Sequence, residues 1–279
     1  MKLKSMLAAL AIGLCTLLGA QTTPEEFNAR YQRQVSRLGY AGVGVEGILD
    51  KWEAAFPEDG LMLEARFNYY LVKSVRSEVV KKDCKKWLGA DPILSIPDST
   101  GVKVNYFEEQ FFDEQMLATA LGFIDRAIEL YPDELMYRVD RTCAMLSYEK
   151  ESPDLSLEEL TALADRHSKE APKWTISGTQ IEEADFIRLM AEFCVRLYNI
   201  GTPSGYEAFR VLSEKLNRMW PKEAVFLNNL GSYWLVAKGK DKKAASYYKK
   251  ALKLDPESDV AKMNLQLIER RKAAAKKGK

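Results

Sequence analysis

The chain has 279 residues, of which 47% are hydrophobic and 29% charged, with a formal net charge of +1. That balance supplies a sizeable core for one large domain or a repeat array. It excludes a global basic field that would draw nucleic acid or a membrane surface.

The first twenty residues differ from the rest. Lys2 and Lys4 precede an apolar run from Met6 to Leu18, followed by Gly19-Ala20-Gln21. A basic start, a short greasy core and a small residue before a polar one describe a secretory signal peptide over residues 1–20. The run falls short of the roughly 20 apolar residues that span a bilayer, and no later segment reads as a transmembrane helix. The expected fate is export, to the periplasm first, with secretion or lipid anchoring as alternatives. Leu14 stands before Cys15, where lipoprotein signals want a small residue. Without residues 1–20 the net charge is −1.

Residues 21–279 read as one helical repeat domain. Thr23-Pro24 with Glu26 is a capping box that opens a helix. The stretch GVGVEG, Gly42 to Gly47, fits the dinucleotide pattern G-x-G-x-x-G. Such a site needs a buried strand before its glycines, and the preceding NARYQRQVSRLGYA is charged and without a strand pattern. Gly39 to Gly47 is therefore read as a flexible link.

From there a spacing of four and then three, closed by a proline, recurs. Val45, Leu49, Trp52 and Pro57 show it with large residues. Ala120, Ile124, Ala127 and Pro132 fit it. Leu160, Ala164, His167 and Pro172 keep the spacing, and Ala208, Leu212 and Pro221 keep it with one residue extra. Ala244, Tyr248, Ala251 and Pro256 are the last. Between them lie further helices over 61–73 and 134–149, and from about 181 to Gly201. Ser156 with Glu159, and Thr179 with Glu182, read as capping boxes; Thr202-Pro203 starts a helix with proline at its first position. A capping helix over 258–272 closes the series with a polar outer face. Residues 82–112 break the rhythm. ILSI and VKVNYF flank PDSTG, which reads as an inserted β-hairpin near residues 92–108, on a scaffold whose loops are free to carry function.

The segment 224–256 carries Leu227, Leu230, Gly231 and Trp234, then Ala244, Tyr248, Ala251 and Pro256. It resembles the tetratricopeptide repeat, with Leu227 in the tryptophan place and one extra residue between the helices. Taken whole, the chain is similar to exported tetratricopeptide proteins of Bacteroidetes-type bacteria. The resemblance implies an all-α, right-handed α-α superhelix whose concave face binds a protein or peptide.

The sequence offers little for chemistry. One histidine, His167, provides no metal cluster, and its place in a last helical turn suits packing or a positive charge on the helix dipole. Cys84, Cys143 and Cys194 form no C-x-x-C pair. Cys143 and Cys194 read as small buried side chains, whereas four lysines near Cys84 favour its thiolate. There is no G-x-S-x-G. The S-x-x-K pairs at Ser147 and Ser246, and the acid pairs Glu158-Glu159 and Glu182-Glu183, sit where helices explain them. Six of the last ten residues are basic, which suits a solvated helix end. No catalytic, cofactor or metal residues are assigned. The candidate partner-binding residues, placed on the concave face, are Tyr137, Arg141, Asn228, Ser232 and Leu235. The expected function is a non-catalytic envelope scaffold. The alternatives are an enzyme or enzyme accessory using the insertion and its adjacent groove, and a self-associating structural protein.

Overall fold

A computed structural model describes residues 22–277; the signal-like segment 1–20 and its cleavage site lie outside them. Helices come in antiparallel pairs that pack in chain order: α1 (Pro24–Leu38) with α2 (Val45–Ala55), and α3 (Gly60–Ser74) with α4 (Glu114–Leu130). Then follow α5 (Leu135–Glu149) with α6 (Asp154–Glu170), α7 (Glu183–Asn199) with α8 (Pro203–Met219), and α9 (Ala224–Ser232) with α10 (Asp241–Leu254). The unpaired α11 (Asp259–Lys277) closes the stack, longer than the expected 258–272.

The five sequence matches fall on α2, α4, α6, α8 and α10, the second member of each pair. Their repeating positions are the interior: Val45, Leu49, Trp52, Ala120, Ile124, Ala127, Leu160, Ala164, Leu212, Ala244, Tyr248 and Ala251 are fully buried. Each proline lies two residues past the end of its helix. A proline drives the residue before it out of the helical region. Phe56, Tyr131, Ala171, Trp220 and Asp255, which precede the five prolines, have all left it.

The core runs in three clusters along the chain. One spans α1 to α5, the next α5 to α9, and the last α9 to α11. Neighbour-only packing of this kind defines a solenoid. The architecture is a tetratricopeptide-like stack of helical pairs with a small β insertion.

The last repeat explains its small residues. A Cβ on Gly231 would lie 2.7 Å from the Tyr248 ring, so only glycine lets α9 and α10 approach this closely. The extra residue noted in the sequence is absorbed by a π-helical turn over Tyr233–Ala237, which widens the helix instead of lengthening the loop.

The insertion is larger than a hairpin. Strands β2 (Leu94–Pro97) and β3 (Lys103–Phe112) flank the expected turn, where the Asp98 carboxylate accepts from the Thr100 and Val102 amides at 2.8 and 3.0 Å. An unforeseen strand, β1 (Val75–Lys82), pairs antiparallel with β3 from Val75 opposite Phe112 to Lys82 opposite Asn105. The sheet has the order β1-β3-β2. It grows directly out of α3 and runs back into α4, so the insertion begins at residue 75, not 82. A second ribbon, β4 (Thr175–Ile176) with β5 (Thr179–Gln180), was also unforeseen.

Other expectations need correction. The link Gly39–Gly44 is a tightly wound turn. Gly39 and Gly44 have positive φ, and a Cβ on Gly42 would lie 2.5 Å from that of Leu38. The Gln34 side chain donates to the Val43 carbonyl at 2.5 Å, closing the turn. A helix precedes these glycines, so no strand presents them to a phosphate. Thr23 caps α1 by accepting from the Glu26 amide, half of the expected capping box, and Pro203 opens α8 as expected, with Thr202 as its cap. At α7, however, the box is Glu182 with Asp185, because Thr179 belongs to β5. Ser156 lies inside α6, where Glu149 accepts from its amide and hydroxyl. His167 is packed, stacked 4.1 Å from Phe186, and its Nδ1 accepts from the Trp174 indole at 3.1 Å. Burial pushes its pKa down against the pull of Glu183, so the ring is neutral and supplies no positive end to the dipole.

Candidate partner-binding groove

First helices of successive pairs share one side of the stack, and the β insertion leans over it. Three depressions lie there in line. One of about 600 Å³ sits between the N-terminal halves of α3 and α5, lined by Glu64, Tyr131, Glu134, Met136 and Tyr137. A second of about 490 Å³ is mostly apolar, with Phe67, Leu71, Val72, Val75, Phe112 and Ala144 beside Asn68 and Asp140. A third of about 620 Å³ lies between the insertion and the C-terminal ends of α5 and α7, with Trp87, Phe107, Glu109, Lys150 and Arg196. The last two share Gln110, Cys143 and Ser147 and so form one trough. The first continues it by a helical turn, from Asn68 back to Glu64 on α3 and from Asp140 to Tyr137 on α5.

Two carboxylates stand out on this apolar floor. Among the described residues, Glu64 and Asp140 have neither a hydrogen bond nor an ion pair. Burial, and then the charges of Asp140 and Glu134, push the Glu64 pKa up to about 7. Burial alone raises Asp140 to about 6. Carboxyls this poorly solvated ionise reluctantly and hold a cation strongly when one arrives.

The far end of the trough is neutralised. Burial opposes ionisation of Glu109, but Lys150 at 2.9 Å and Lys82 at 2.8 Å prevail and hold its pKa below the usual range. Lys82 also stacks over the Trp87 ring at 3.7 Å. The turn after it seats the insertion on α7. Leu88 and Gly89 both have positive φ, and a Cβ on Gly89 would run into the carbonyl oxygen of Asn199. Gly89→Ala is therefore expected to cost about 1–3 kcal/mol. It should speed hydrogen exchange at Ala90, whose amide donates to Trp87, while α9–α11 keep wild-type protection.

The residues proposed from sequence are dispersed. Tyr137 lines the first depression but is buried, its ring against Tyr131. Arg141 faces the other side of α5, bound to Asp125 at 2.6 Å and to Glu159. Asn228 is 8% exposed and donates to the Ser258 hydroxyl at 2.9 Å. The cause is α11, whose start covers this face of α9. Ser232 lies 3.0 Å from the Tyr248 hydroxyl, inside the last helical pair. Leu235 is buried because the π turn shifts every residue after Ser232 out of the α-helical count. The groove acids were missed for a plain reason. An isolated Glu or Asp inside an amphipathic helix reads as solvated, and only the neighbouring elements reveal its desolvation.

Of the cysteines, Cys194 is buried and its thiol is pushed up to about 12 by burial. Cys143 is half-buried on the trough wall instead of in the core, with its pKa also raised by burial. Cys84 is half-buried. Among the described residues no helix is long and apolar enough to cross a membrane.

No family model matches this chain, and no curated protein does. Among solved structures, MamA 41-end from Desulfovibrio magneticus RS-1 matches with 14% identity, covering 85% of this chain and 97% of that one, at a TM-score of 0.40. A MamA RS-1 ArsTM double mutant matches with 14% identity, 85% and 96% coverage and a TM-score of 0.41. The solenoid assignment rests on the stacked pairs themselves.

Proposed function

We propose that this chain is a non-catalytic scaffold of the cell envelope that holds a segment of a partner protein in the trough. A basic side chain of that segment lies between Glu64 and Asp140, and apolar ones lie against Phe67, Leu71 and Phe112. The observation that carries this reading is the pairing of an open apolar trough with two half-buried carboxylates that have no partner within the described residues. A guest cation supplies what they lack, which is charge complementarity. The β insertion forms one wall and gives a second contact. The envelope location is supported by the basic and then apolar start of the chain.

A catalytic reading has a specific cavity to consider, since Asp91, Glu108 and Glu109 line the depression beside the insertion. Lys86 holds Asp91, and two ammonium groups hold Glu109. The two ammonium groups hold the Glu109 pKa below the usual carboxylate range and make it a poor proton donor, so it does not supply the general acid of a catalytic pair. Self-association through the sheet is discouraged at its edges. Arg76, Glu78, Lys81 and Lys82 line β1, and Pro97 ends β2.

The test is a panel of fluorescent ten-residue peptides of matched hydrophobicity and varied charge, read by anisotropy. Lysine- or arginine-bearing peptides should bind, and Ser147→Trp, which fills the exposed trough wall, should weaken them at least about tenfold. Equal binding by wild type and Ser147→Trp would remove the trough from the proposal.

A further inference from the structure

We infer that the cavity between α4, α5 and α6 is a binding site for an oxyanion, a carboxylate or phosphate of a small ligand, with Arg138 as its main donor. This cavity of about 430 Å³ lies away from the trough and carries three arginines: Arg138, Arg141 and Arg166. On α5, residues 137, 140 and 144 face the trough while 138, 141 and 142 line this cavity. At 3.6 residues per turn the two sets are centred about 120° apart, on different faces of the helix.

Two of the arginines are fully engaged. Arg141 binds Asp125 at 2.6 Å and also Glu159. Arg166 donates to Asp133 at 2.7 Å, to Glu170 at 2.9 Å and to the Pro132 carbonyl, with its guanidinium 4.8 Å over the Trp174 ring. Arg138 is the exception. Its Nε is buried without an acceptor, and among the described residues its guanidinium has no hydrogen bond or ion pair. The acids whose charges act on it, Asp133 and Glu170, are already bound to Arg166.

Arg138 is half-buried, and a guanidinium Nε shut off from water without an acceptor is costly for a fold to carry. Burial and the neighbouring Arg166 both push the Arg138 pKa down, which reports the same deficit of negative charge. Arginine nevertheless stays protonated at physiological pH. Its planar fork matches the paired oxygens of a carboxylate or phosphate, which would satisfy Nε and a terminal nitrogen together. Ile128 and Leu163 provide apolar walls, and the cavity has room for a small organic anion.

The test uses the full chain with inorganic phosphate and with succinate, each against sodium chloride at equal ionic strength. The Arg138 Nε–H resonance should shift saturably with at least one of the two anions and stay fixed in chloride. That anion should also raise the melting temperature, and Arg138→Met should abolish the rise. Arg138→Lys keeps the charge but loses the fork, and should weaken binding about tenfold. Phosphate response alone, or succinate response alone, assigns which oxyanion the site takes. No shift with either anion would overturn the inference, as would an equal thermal response in Arg138→Met. A third contrary result is a marked loss of stability in Arg138→Met without anion, which would make Arg138 a structural residue. The site lies off the trough, so these outcomes are independent of peptide binding.

Discussion

Replacing Glu64 by Gln together with Asp140 by Asn is expected to weaken basic-peptide binding about ten- to a hundredfold at pH 8 and to stabilise the free protein. Both effects have one origin. The folded-state pKa values, about 7 and about 6, lie above the ordinary values of 4.5 and 3.8. Between those limits the folded protein binds more protons than the unfolded chain. Stability therefore falls as pH rises through this window and is lowest above it. The neutral amides remove the penalty, worth on the order of 1–3 kcal/mol at pH 8 after allowing for partial exposure. Urea denaturation from pH 4 to pH 8 should show a falling profile for wild type and a flatter one for the variant. Binding runs the other way. A guest cation prefers ionised acids, so wild-type affinity should rise over the same pH range, with protons released on binding. If the two stability profiles run parallel, the carboxylates are better solvated than their surroundings imply, and the proposed cation position is wrong.

Trp52→Ala should be the most destabilising single change at the N-terminal end, costing about 3–5 kcal/mol. Trp52 is fully buried, stacks on Phe27 at 6.1 Å and leans on Tyr31. Its indole also donates to Asp59 at 2.8 Å, and the same Asp59 carboxylate caps α3 through the Leu61 amide at 3.1 Å. Loss of the ring thus removes packing between α1 and α2 and loosens the start of the next pair. Trp52→Phe keeps most of the packing and loses the hydrogen bond, for about 1 kcal/mol more than its change in volume alone. In a stack held by neighbours, damage should stay local. Hydrogen exchange should accelerate over α1 to α4 while α9 to α11 stay protected. A uniform loss of protection along the chain would mean that the array melts as one cooperative unit.

The two proposals differ in how much of them the sequence displays. The positions that bury the second helices could be read directly. Steps of four and three with a terminal proline depend on local geometry, and Ala120, Ile124 and Ala127 have few other ways to be used. The turn at Asp98 was equally plain, because its side chain bonds its own backbone. Strand β1 was not, since VRSEVVKK is charged and becomes a strand only because β3 lies beside it. Tyr137 and Arg141 were placed on the concave face by the repeat pattern, but which face of α5 each occupies depended on α3, α4 and α6 closing around it. Glu64, Asp140 and Arg138 carried no signal at all, since nothing next to them in the chain marks them as unpaired.

By itself the sequence determined an array of paired helices, the proline-marked ends of the second helices, and the tight approach at Gly231, because local backbone preferences and side-chain size act over a turn or two. Only the tertiary structure decided where that array leaves charge unsatisfied. Desolvation is a property of everything packed around a group, and the neighbours that strip water from Glu64, Asp140 and Arg138 come from helices far apart in the chain.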